Sequence, residues 1–255
     1  MEVDALRLLR ALRDGVADVV FLDPPFNLGK DYGVASRFES TSDEAYAHAL
    51  GQVLLELPRV LSPGGSAYLY HIPRWAVEFV SVLGEQLDFR HWIAVSMKNG
   101  FVRRESLYPA HYSLLHYSNG PLATFRRPKV QPSECRHCGR YTKDYGGYAQ
   151  IIERQGLNLS DVWDDVSPVR HRGRKHRIAN ELPEILTDRV MHMSGRENGL
   201  LVDPFVGTGT SLISARRHGM RFVGGDISSE ALTVARARLT GQRIVRDRPP
   251  MPSAG

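Results

Sequence analysis

A short apolar run that stops at two consecutive prolines constrains the fold of this chain more than any other feature. Residues 19–22 are Val, Val, Phe and Leu, and Asp23, Pro24, Pro25 and Phe26 follow directly. A run rich in β-branched and aromatic residues indicates a buried strand. The prolines donate no N–H and fix φ, so the strand must end there. Open α/β sheets bind ligands at the carboxyl ends of their strands, which makes these four residues candidates for a site.

The same cluster carries groups that recognise an amino group on a flat ring. The Asp23 carboxylate and the Pro24 carbonyl can accept hydrogen bonds from an exocyclic NH2. The Phe26 ring can stack on a nucleobase. A strand-ending turn in which Asp23 only caps a loop explains the same residues, and the cluster alone leaves both interpretations open.

A second strand end lies far downstream, after residues 199–203. Phe205, Gly207 and Gly209 follow it, ahead of a helix-like stretch at 211–218. Glycines let the backbone pass close to a ligand, and the helix N-terminus offers free N–H groups. About twenty residues on, where acids commonly bind ribose hydroxyls, Asp226 ends another strand-like run. A tight glycine turn is the alternative. A nicotinamide site is disfavoured, because the third glycine of G-x-G-x-x-G is missing.

Taken together, these motifs resemble the β subgroup of the amino-group DNA methyltransferases, which use S-adenosylmethionine to modify adenine N6 or cytosine N4. The family's catalytic motif is Asp/Asn/Ser-Pro-Pro-aromatic, and residues 23–26 match it. Its cofactor motif, Phe-x-Gly-x-Gly, is matched at 205–209. The catalytic motif comes first, which is the order of this subgroup. The resemblance implies catalytic roles for Asp23, Pro24, Pro25 and Phe26.

The resemblance also implies which residues contact S-adenosylmethionine. Most of them follow the two downstream strands, and one precedes the cofactor half of the chain. Asn180, the upstream residue, could equally be the N-cap of the helix that follows it. The implied cofactor contacts are Asp203, Phe205, Gly207, Thr208, Gly209, Asp226, Ile227 and Asn180.

Alternation of strand-like and helix-like stretches predicts an α/β fold, a doubly wound and mostly parallel sheet of about seven strands. The strands at 92–98 and 111–117 have no helix between them, so they are expected to form an antiparallel pair at one edge, as in the methyltransferase fold that the resemblance implies. The other strands are expected at 19–22, 66–71, 199–203, 221–226 and 243–245. Helices are expected at 42–60, 74–87, 182–193, 211–218 and 229–239.

A central basic segment divides the predicted domain. Residues 1–118 are expected to form the catalytic half, 174–245 the cofactor-binding half, and 246–255 a disordered tail. Residues 119–173 have little apolar periodicity, and the resemblance assigns them to target recognition in DNA. A solvated basic loop is the alternative. The candidate DNA contacts are Arg126, Arg127, Lys129, Arg140 and Lys143.

Both cysteines of the chain, Cys135 and Cys138, lie in this segment. A C-x-x-C pair is half of a zinc site, but no second pair exists, so histidines would have to complete it. We therefore expect no metal and keep a zinc site as the alternative.

Composition agrees with a nucleic-acid partner. The chain has 33 Lys and Arg against 28 Asp and Glu, which gives a net charge of +5 and suits a polyanion. No apolar stretch approaches the roughly 18 residues of a membrane span, and two cysteines suit a reducing compartment, so a cytoplasmic protein is expected. The expected partner is double-stranded DNA. A homodimer and a separate restriction endonuclease are further candidates.

The resemblance implies a site-specific methyltransferase acting on a base extruded from duplex DNA. Adenine N6 is the expected target, because Asp rather than Ser opens the catalytic motif. Cytosine N4 is the alternative. A catalytically silent DNA-binding module on the same fold is a further alternative.

Overall fold

The computed structural model describes residues 1–27, 42–96, 107–132, 137–139, 146–166 and 181–242. The first half contains α1 (Ala5–Ala11), β1 (Ala17–Leu22), α2 (Asp43–Leu54), α3 (Leu57–Val60), β2 (Leu61–His71), α4 (Pro73–Gly84), β3 (Asp88–Ser96) and β4 (His111–Ser118). The second half contains β5 (Lys129–Val130), α5 (Ala149–Gln155), β6 (Leu157–Asn158), β7 (Val162–Trp163), α6 (Glu184–Ser194), β8 (Leu200–Asp203), α7 (Thr210–Arg217), β9 (Arg221–Gly224) and α8 (Ser229–Thr240).

Seven of these strands form one sheet, in the order β7-β3-β4-β2-β1-β8-β9, and β5 pairs with β6 separately. β4 is antiparallel to both of its neighbours, and every other pairing in the sheet is parallel. β4 is therefore the one reversed strand of this sheet. The prediction of a mostly parallel, seven-stranded sheet with antiparallel pairing is confirmed.

One strand of this sheet was missed in the sequence, and the expected strand at 243–245 lies outside the described residues. The missed strand is β7, which comes from the central segment. Trp163 of β7 is buried, and Val162 pairs with Ala94 of β3. The expected antiparallel pair of β3 and β4 is present, and β7 adds one further strand outside β3. Two apolar residues between polar neighbours are too short a run to be recognised as a strand.

The sheet is covered on both faces, which explains the apolar character of its strands. Successive residues of β1 alternate between two cores. Val20 and Leu22 pack with residues of α1 to α4, whereas Val19 and Phe21 pack with residues of α6, α7 and α8. Each fully buried side chain of this size contributes about 1.5–3 kcal/mol. Of the helices in the described ranges, none is both long and apolar enough to span a bilayer.

Local signals account for the element boundaries. The expected helix 42–60 is split into α2 and α3, because Pro58 in the first turn of α3 cannot donate the N–H that a continuous helix needs. β2 starts at Leu61, five residues earlier than expected, and its pairing with β1 is irregular there. Gly64 in this stretch has φ +74°, and a Cβ on it would lie 2.6 Å from the Ala123 amide nitrogen.

The direction of the strands defines two edges that matter for the site. We call the edge where β1, β2, β8 and β9 end the carboxyl edge, and the edge where they begin the amino edge. β4 runs from the carboxyl edge to the amino edge, since Ser113 pairs with His71 and Ser118 with Ser66. The chain that follows β4 therefore enters the central segment from the amino edge.

Candidate active site

Three acidic residues follow three neighbouring strands at the carboxyl edge. Asp23 comes directly after β1, Asp203 ends β8, and Asp226 lies two residues beyond β9. β8 pairs in parallel with both β1 and β9, so the three strand ends lie side by side. The charge of Asp203 acts on Asp23, and that of Asp226 acts on Asp203. The two motifs predicted from distant parts of the sequence thus meet at one place.

Asp23 and Pro24 present hydrogen-bond acceptors at this edge. No donor to the Asp23 carboxylate or to the Pro24 carbonyl is found within the described parts of the chain. Burial, and then the charge of Asp203, raise the pKa of Asp23 well above its usual value. Asp23 nevertheless keeps part of its surface exposed. The two groups are therefore placed to accept hydrogen bonds from a bound molecule.

The two following residues are held by the protein. The Tyr46 hydroxyl donates to the Pro25 carbonyl at 2.6 Å, and the Trp75 indole N–H donates to the Phe26 carbonyl at 3.1 Å. Tyr46 comes from α2 and Trp75 from α4, so two helices fix the loop after β1. Rigid backbone here keeps the Asp23 and Pro24 acceptors in place.

The Phe26 ring lies in an aromatic cluster while remaining partly exposed. His71 stacks on it, with ring centroids 4.9 Å apart and 29° between the planes. Tyr112 lies 5.5 Å and Tyr70 6.2 Å from the same ring. These aromatic residues fix the orientation of the Phe26 ring, which could stack on a second ring in that orientation.

Sequence reasoning missed Tyr46, His71, Trp75, Tyr70 and Tyr112. One signal could have found two of them. Tyr70 and His71 end the strand expected at 66–71, just as Asp23 follows β1, and parallel strands end at the same edge of a sheet, so both belong to the carboxyl edge. The other three could not be found in this way, because their contacts depend on how α2, α4 and β4 pack.

The loop after β8 has the backbone that its glycines predict. Gly207 has φ +50° and Gly209 has φ +85°, conformations that L side chains rarely adopt. A Cβ on Gly207 would meet no described atom within 4 Å, whereas one on Gly209 would lie 2.9 Å from the Ala235 Cβ. Gly209 therefore serves the packing of α7 on α8, whereas no described residue fills the space over Gly207.

Asp203 and Asp226 hold this loop through its N–H groups. Asp203 is buried and accepts hydrogen bonds from the Phe205 amide at 2.9 Å and from the Ser211 hydroxyl. Burial raises its pKa to about 7, against the opposing effect of these two bonds. The Asp226 carboxylate accepts from the Gly207 and Ser228 amides, each at 2.8 Å.

Beyond these bonds, the loop keeps groups that could contact a nucleoside. Asp226 is partly exposed, and its carboxylate oxygens have lone pairs beyond those two bonds for hydroxyl groups. Ile227 beside it is 39% exposed and offers an apolar surface to a flat ring. The open space over Gly207 adjoins Asp226, because the Gly207 amide donates to its carboxylate.

The other predicted cofactor contacts differ in their accessibility. Phe205 is half-buried. Thr208 is buried, and its carbonyl accepts from Arg238 at 2.9 Å. Asn180 lies outside the described residues.

The predicted DNA contacts do not form one group. Phe125 comes just before Arg126, Arg127 and Lys129, which we call the basic run. Its ring stacks with His91 of β3 and His116 of β4 near the amino edge, and this contact fixes where the basic run begins. Arg126 follows, and its guanidinium donates to the Gly195 carbonyl at 2.7 Å. The remaining predicted contacts fall into two groups: Arg127 and Lys129 are exposed, and Arg140 and Lys143 lie outside the described residues.

The cysteine pair lies only partly within the described residues. Cys138 is exposed, and Cys135 falls outside them. Within the ranges that the structure describes, no group of three or more His, Cys, Asp or Glu side chains is arranged to hold a metal ion.

Known proteins resemble this chain over most of its length. The family model described as DNA methylase matches residues 17–237. The type II methyltransferase M.BamHI of Bacillus amyloliquefaciens is 41% identical over 229 residues, which are 89% of this chain and 53% of that protein. M.HpaI of Haemophilus parainfluenzae is 27% identical over 243 residues, 94% of this chain and 73% of that protein. The chain thus spans about half the length of M.BamHI.

Solved structures show the same fold. The PvuII DNA methyltransferase superposes with a TM-score of 0.66 at 14% identity, covering 92% of this chain and 84% of that one. TTHA0409 of Thermus thermophilus, in complex with S-adenosyl-L-methionine, gives 0.62 at 20% identity, covering 93% and 92%. The family match spans both strand-end motifs, and one relative exceeds 40% identity. The chain therefore belongs to the N6/N4 family of DNA methylases.

Proposed function

We propose that this chain is an S-adenosylmethionine-dependent DNA methyltransferase that modifies the exocyclic N6 of adenine in duplex DNA. One observation carries the proposal. The acceptors of Asp23 and Pro24, which no described group of the chain uses, lie beside Phe26 and at the same edge as the open glycine loop at Gly207. Relatives named type II methyltransferases, and a structural neighbour solved with the cofactor, support it.

Three residues of the loop after β1, residues 23–26, which we call the catalytic loop, contact the target base in this proposal. S-adenosylmethionine supplies an electrophilic methyl group when bound. The Asp23 carboxylate and the Pro24 carbonyl accept the two N–H bonds of the target amine, which directs its lone pair away from the loop. The amine nitrogen must lose one proton in the reaction, and Asp23 can hold it, since burial raises the pKa of this carboxyl. Stacking on Phe26 contributes roughly 1–3 kcal/mol to holding the ring.

The cofactor would be held on the other half of the site. Asp226 would accept hydrogen bonds from ribose hydroxyls, and Ile227 would cover one face of the adenine. Gly207 would let the backbone approach. Asp203 would act indirectly, because its carboxylate is occupied by the Phe205 amide and the Ser211 hydroxyl.

The target base must leave the helix to reach this site. A base stacked inside duplex DNA cannot place its amine against Asp23, so we propose that it is extruded, at a cost of a few kcal/mol. The aromatic cluster around Phe26 would receive it. Duplex DNA is therefore the proposed partner, and a separate restriction endonuclease with the same target sequence and a homodimer are further proposals.

Cytosine N4 is the second candidate target. Cytosine also presents an exocyclic NH2 next to a ring nitrogen, so Asp23 and Pro24 would serve it equally well. Both targets occur in the names of similar proteins. The PvuII enzyme is named as cytosine-N4-specific, and YhdJ of Escherichia coli, 24% identical over 239 residues, as a DNA adenine methyltransferase.

One assay separates the proposals. Unmethylated duplex DNA is incubated with the protein and S-adenosylmethionine carrying a deuterated methyl group, and the digested nucleosides are analysed by mass spectrometry. Labelled N6-methyladenine is the expected product. Labelled N4-methylcytosine would select the second target, and no labelled base would select a silent DNA-binding module. Sequencing of the modified positions reports the recognition site in the same samples.

A further inference from the structure

Tyr46 and His71 form a chain of hydrogen bonds that ends on the catalytic loop. The Ile72 amide donates to His71 Nδ1 at 2.9 Å. The Tyr46 hydroxyl lies 2.6 Å from His71 Nε2 and 2.6 Å from the Pro25 carbonyl. The two side chains come from β2 and α2, so they connect the loop after β1 to two other elements.

The donor and the acceptor of each hydrogen bond in this series follow from the first bond, in which the Ile72 amide is the donor. A ring nitrogen that accepts a hydrogen bond carries no proton, so a neutral His71 has its proton on Nε2. Burial lowers the pKa of His71 to about 3, which keeps the ring neutral at neutral pH. Nε2–H then donates to the Tyr46 oxygen, and the hydroxyl proton of Tyr46 is left for the Pro25 carbonyl. Only this pattern satisfies all three groups.

His71 reaches the loop a second time through its ring. The imidazole stacks on Phe26 at 4.9 Å, while its Nε2 acts on Pro25 through Tyr46. One residue therefore constrains both the backbone and the aromatic side chain of the loop. Both His71 and Tyr46 are fully buried. Apolar residues would fill the same space, but they would leave the Pro25 carbonyl without its donor.

We propose that His71 and Tyr46 are positioning residues for the methyl transfer, which orient the Pro25–Phe26 backbone so that the Pro24 carbonyl and the Phe26 ring face the target base. The inference rests on the proposed function and extends it to two residues outside both sequence motifs. Neither side chain needs to touch the substrate, since each acts through the loop.

The test compares two tyrosines that each lose one buried hydroxyl. Tyr46→Phe removes the bonds to His71 and Pro25. Tyr68→Phe is the matched control, because the Tyr68 hydroxyl bonds to Ser194 at 2.6 Å and does not reach the loop. We expect kcat to fall about 10- to 100-fold in Tyr46→Phe, the effect of a lost buried hydrogen bond felt in the transition state. The KM for DNA and the Kd for S-adenosylmethionine should change less than about twofold, on the scale of a small free-energy difference.

His71 provides the rescue experiment. His71→Gln keeps an N–H donor that can reach Tyr46, whereas His71→Leu keeps volume without a donor. We expect His71→Gln to retain more of the wild-type kcat than His71→Leu, and His71→Leu to resemble Tyr46→Phe. Equal loss in both His71 variants would mean that the ring acts by packing alone and would overturn the inference.

A measurement that needs no catalysis tests this inference independently of the proposed function. The Trp75 indole N–H donates to the Phe26 carbonyl, so its exchange with solvent, followed by NMR, reports the order of the loop. We expect faster exchange in Tyr46→Phe and unchanged exchange in Tyr68→Phe. A wild-type protein that transfers no methyl group would overturn the proposed function while this measurement still decides the positioning role. Equal exchange and equal kcat in the two tyrosine variants would overturn the inference.

Discussion

Two aspartates at the ends of neighbouring strands, Asp23 and Asp203, differ in what their carboxylates contact. Asp203 accepts hydrogen bonds from the Phe205 amide and the Ser211 hydroxyl, so its carboxylate is occupied by groups of the protein. Asp23 has no such donor in the described part of the chain, although burial raises the pKa of both residues. An acceptor of this kind at a strand end is available to a ligand. Asp23 is therefore the residue whose loss should act on chemistry alone.

Asp23→Ala should abolish methyl transfer while leaving the Kd for S-adenosylmethionine within a few fold of wild type. The reason is that the variant removes the carboxylate that binds the target amine and leaves the loop after β8 intact. Nucleoside mass spectrometry measures transfer, and calorimetry measures cofactor binding. Turnover near the wild-type value would remove Asp23 from the mechanism.

Asp203 should make the stability of the protein depend on pH. Its pKa rises from 3.8 to about 7 on folding, so the folded state binds more protons between these values, and the free energy of unfolding falls as pH rises. Asp203→Asn lacks this proton. From about pH 5 to about pH 7.5 wild type should lose about 2–3 kcal/mol relative to the variant, at roughly 1.36 kcal/mol per pH unit. Urea unfolding at both pH values measures it, and parallel pH profiles would contradict the prediction.

At the scale of elements, the two glycines of the loop between β8 and α7 have different roles. Gly207 belongs to the proposed cofactor site, and Gly209 serves packing. Gly207 and Gly209 both have positive φ, so an alanine at either position meets similar backbone strain of about 1 kcal/mol. They differ in what the added Cβ meets. At Gly209 it meets Ala235 of α8, and at Gly207 it meets no atom of the described residues within 4 Å.

Gly207→Ala should therefore weaken S-adenosylmethionine binding about tenfold or more, about 1.4 kcal/mol, because the new methyl group occupies the space proposed for the cofactor. Gly209→Ala is the control and should lower the melting temperature further, because its Cβ clashes within the protein. Calorimetry and thermal unfolding are measured on both variants. An unchanged cofactor Kd in a folded Gly207→Ala protein would place the cofactor elsewhere.

The basic run that follows β4 also combines two roles. Arg126 donates to the carbonyls of His192 and Gly195 at the end of α6, and its amide donates to Met193. These bonds join the central segment to the helix. Arg126, Arg127 and Lys129 are all exposed, and all three stay predicted as DNA contacts.

Replacing Arg127 and Lys129 together with Ala should weaken duplex binding and reduce its salt dependence. Each lost phosphate contact lowers the log–log slope by roughly 0.9. Titrations at several salt concentrations measure the slope. Arg126→Ala, measured alongside, should differ from the double variant by lowering thermal stability, because it loses the bonds to α6. If the double variant keeps the parent's slope, this run is a solvated surface.

At the scale of the whole molecule, the parallel sheet is what assembles the site. Asp23 and Asp203 are 180 residues apart in the chain, yet β1 and β8 pair directly. The helices after these strands lie on opposite faces, since α2 packs in one core and α7 in the other. A site for two molecules, a base and a cofactor, can therefore form where the two halves meet.

The sequence by itself determined the fold class, the strand ends and the two motifs at Asp23 and Gly207, because prolines and glycines restrict the backbone locally and need no distant partner. The structure then brings the two motifs together, because β1 and β8 pair in parallel and end at one edge. Only the tertiary structure decided that Tyr46 and His71 hold the catalytic loop, since their contacts depend on packing between α2 and β2. It likewise decided that Trp163 belongs to the sheet, because Val162 and Trp163 become a strand only by pairing with β3. It also decided that Arg126 braces α6, because the reversal of β4 carries the chain to the amino edge.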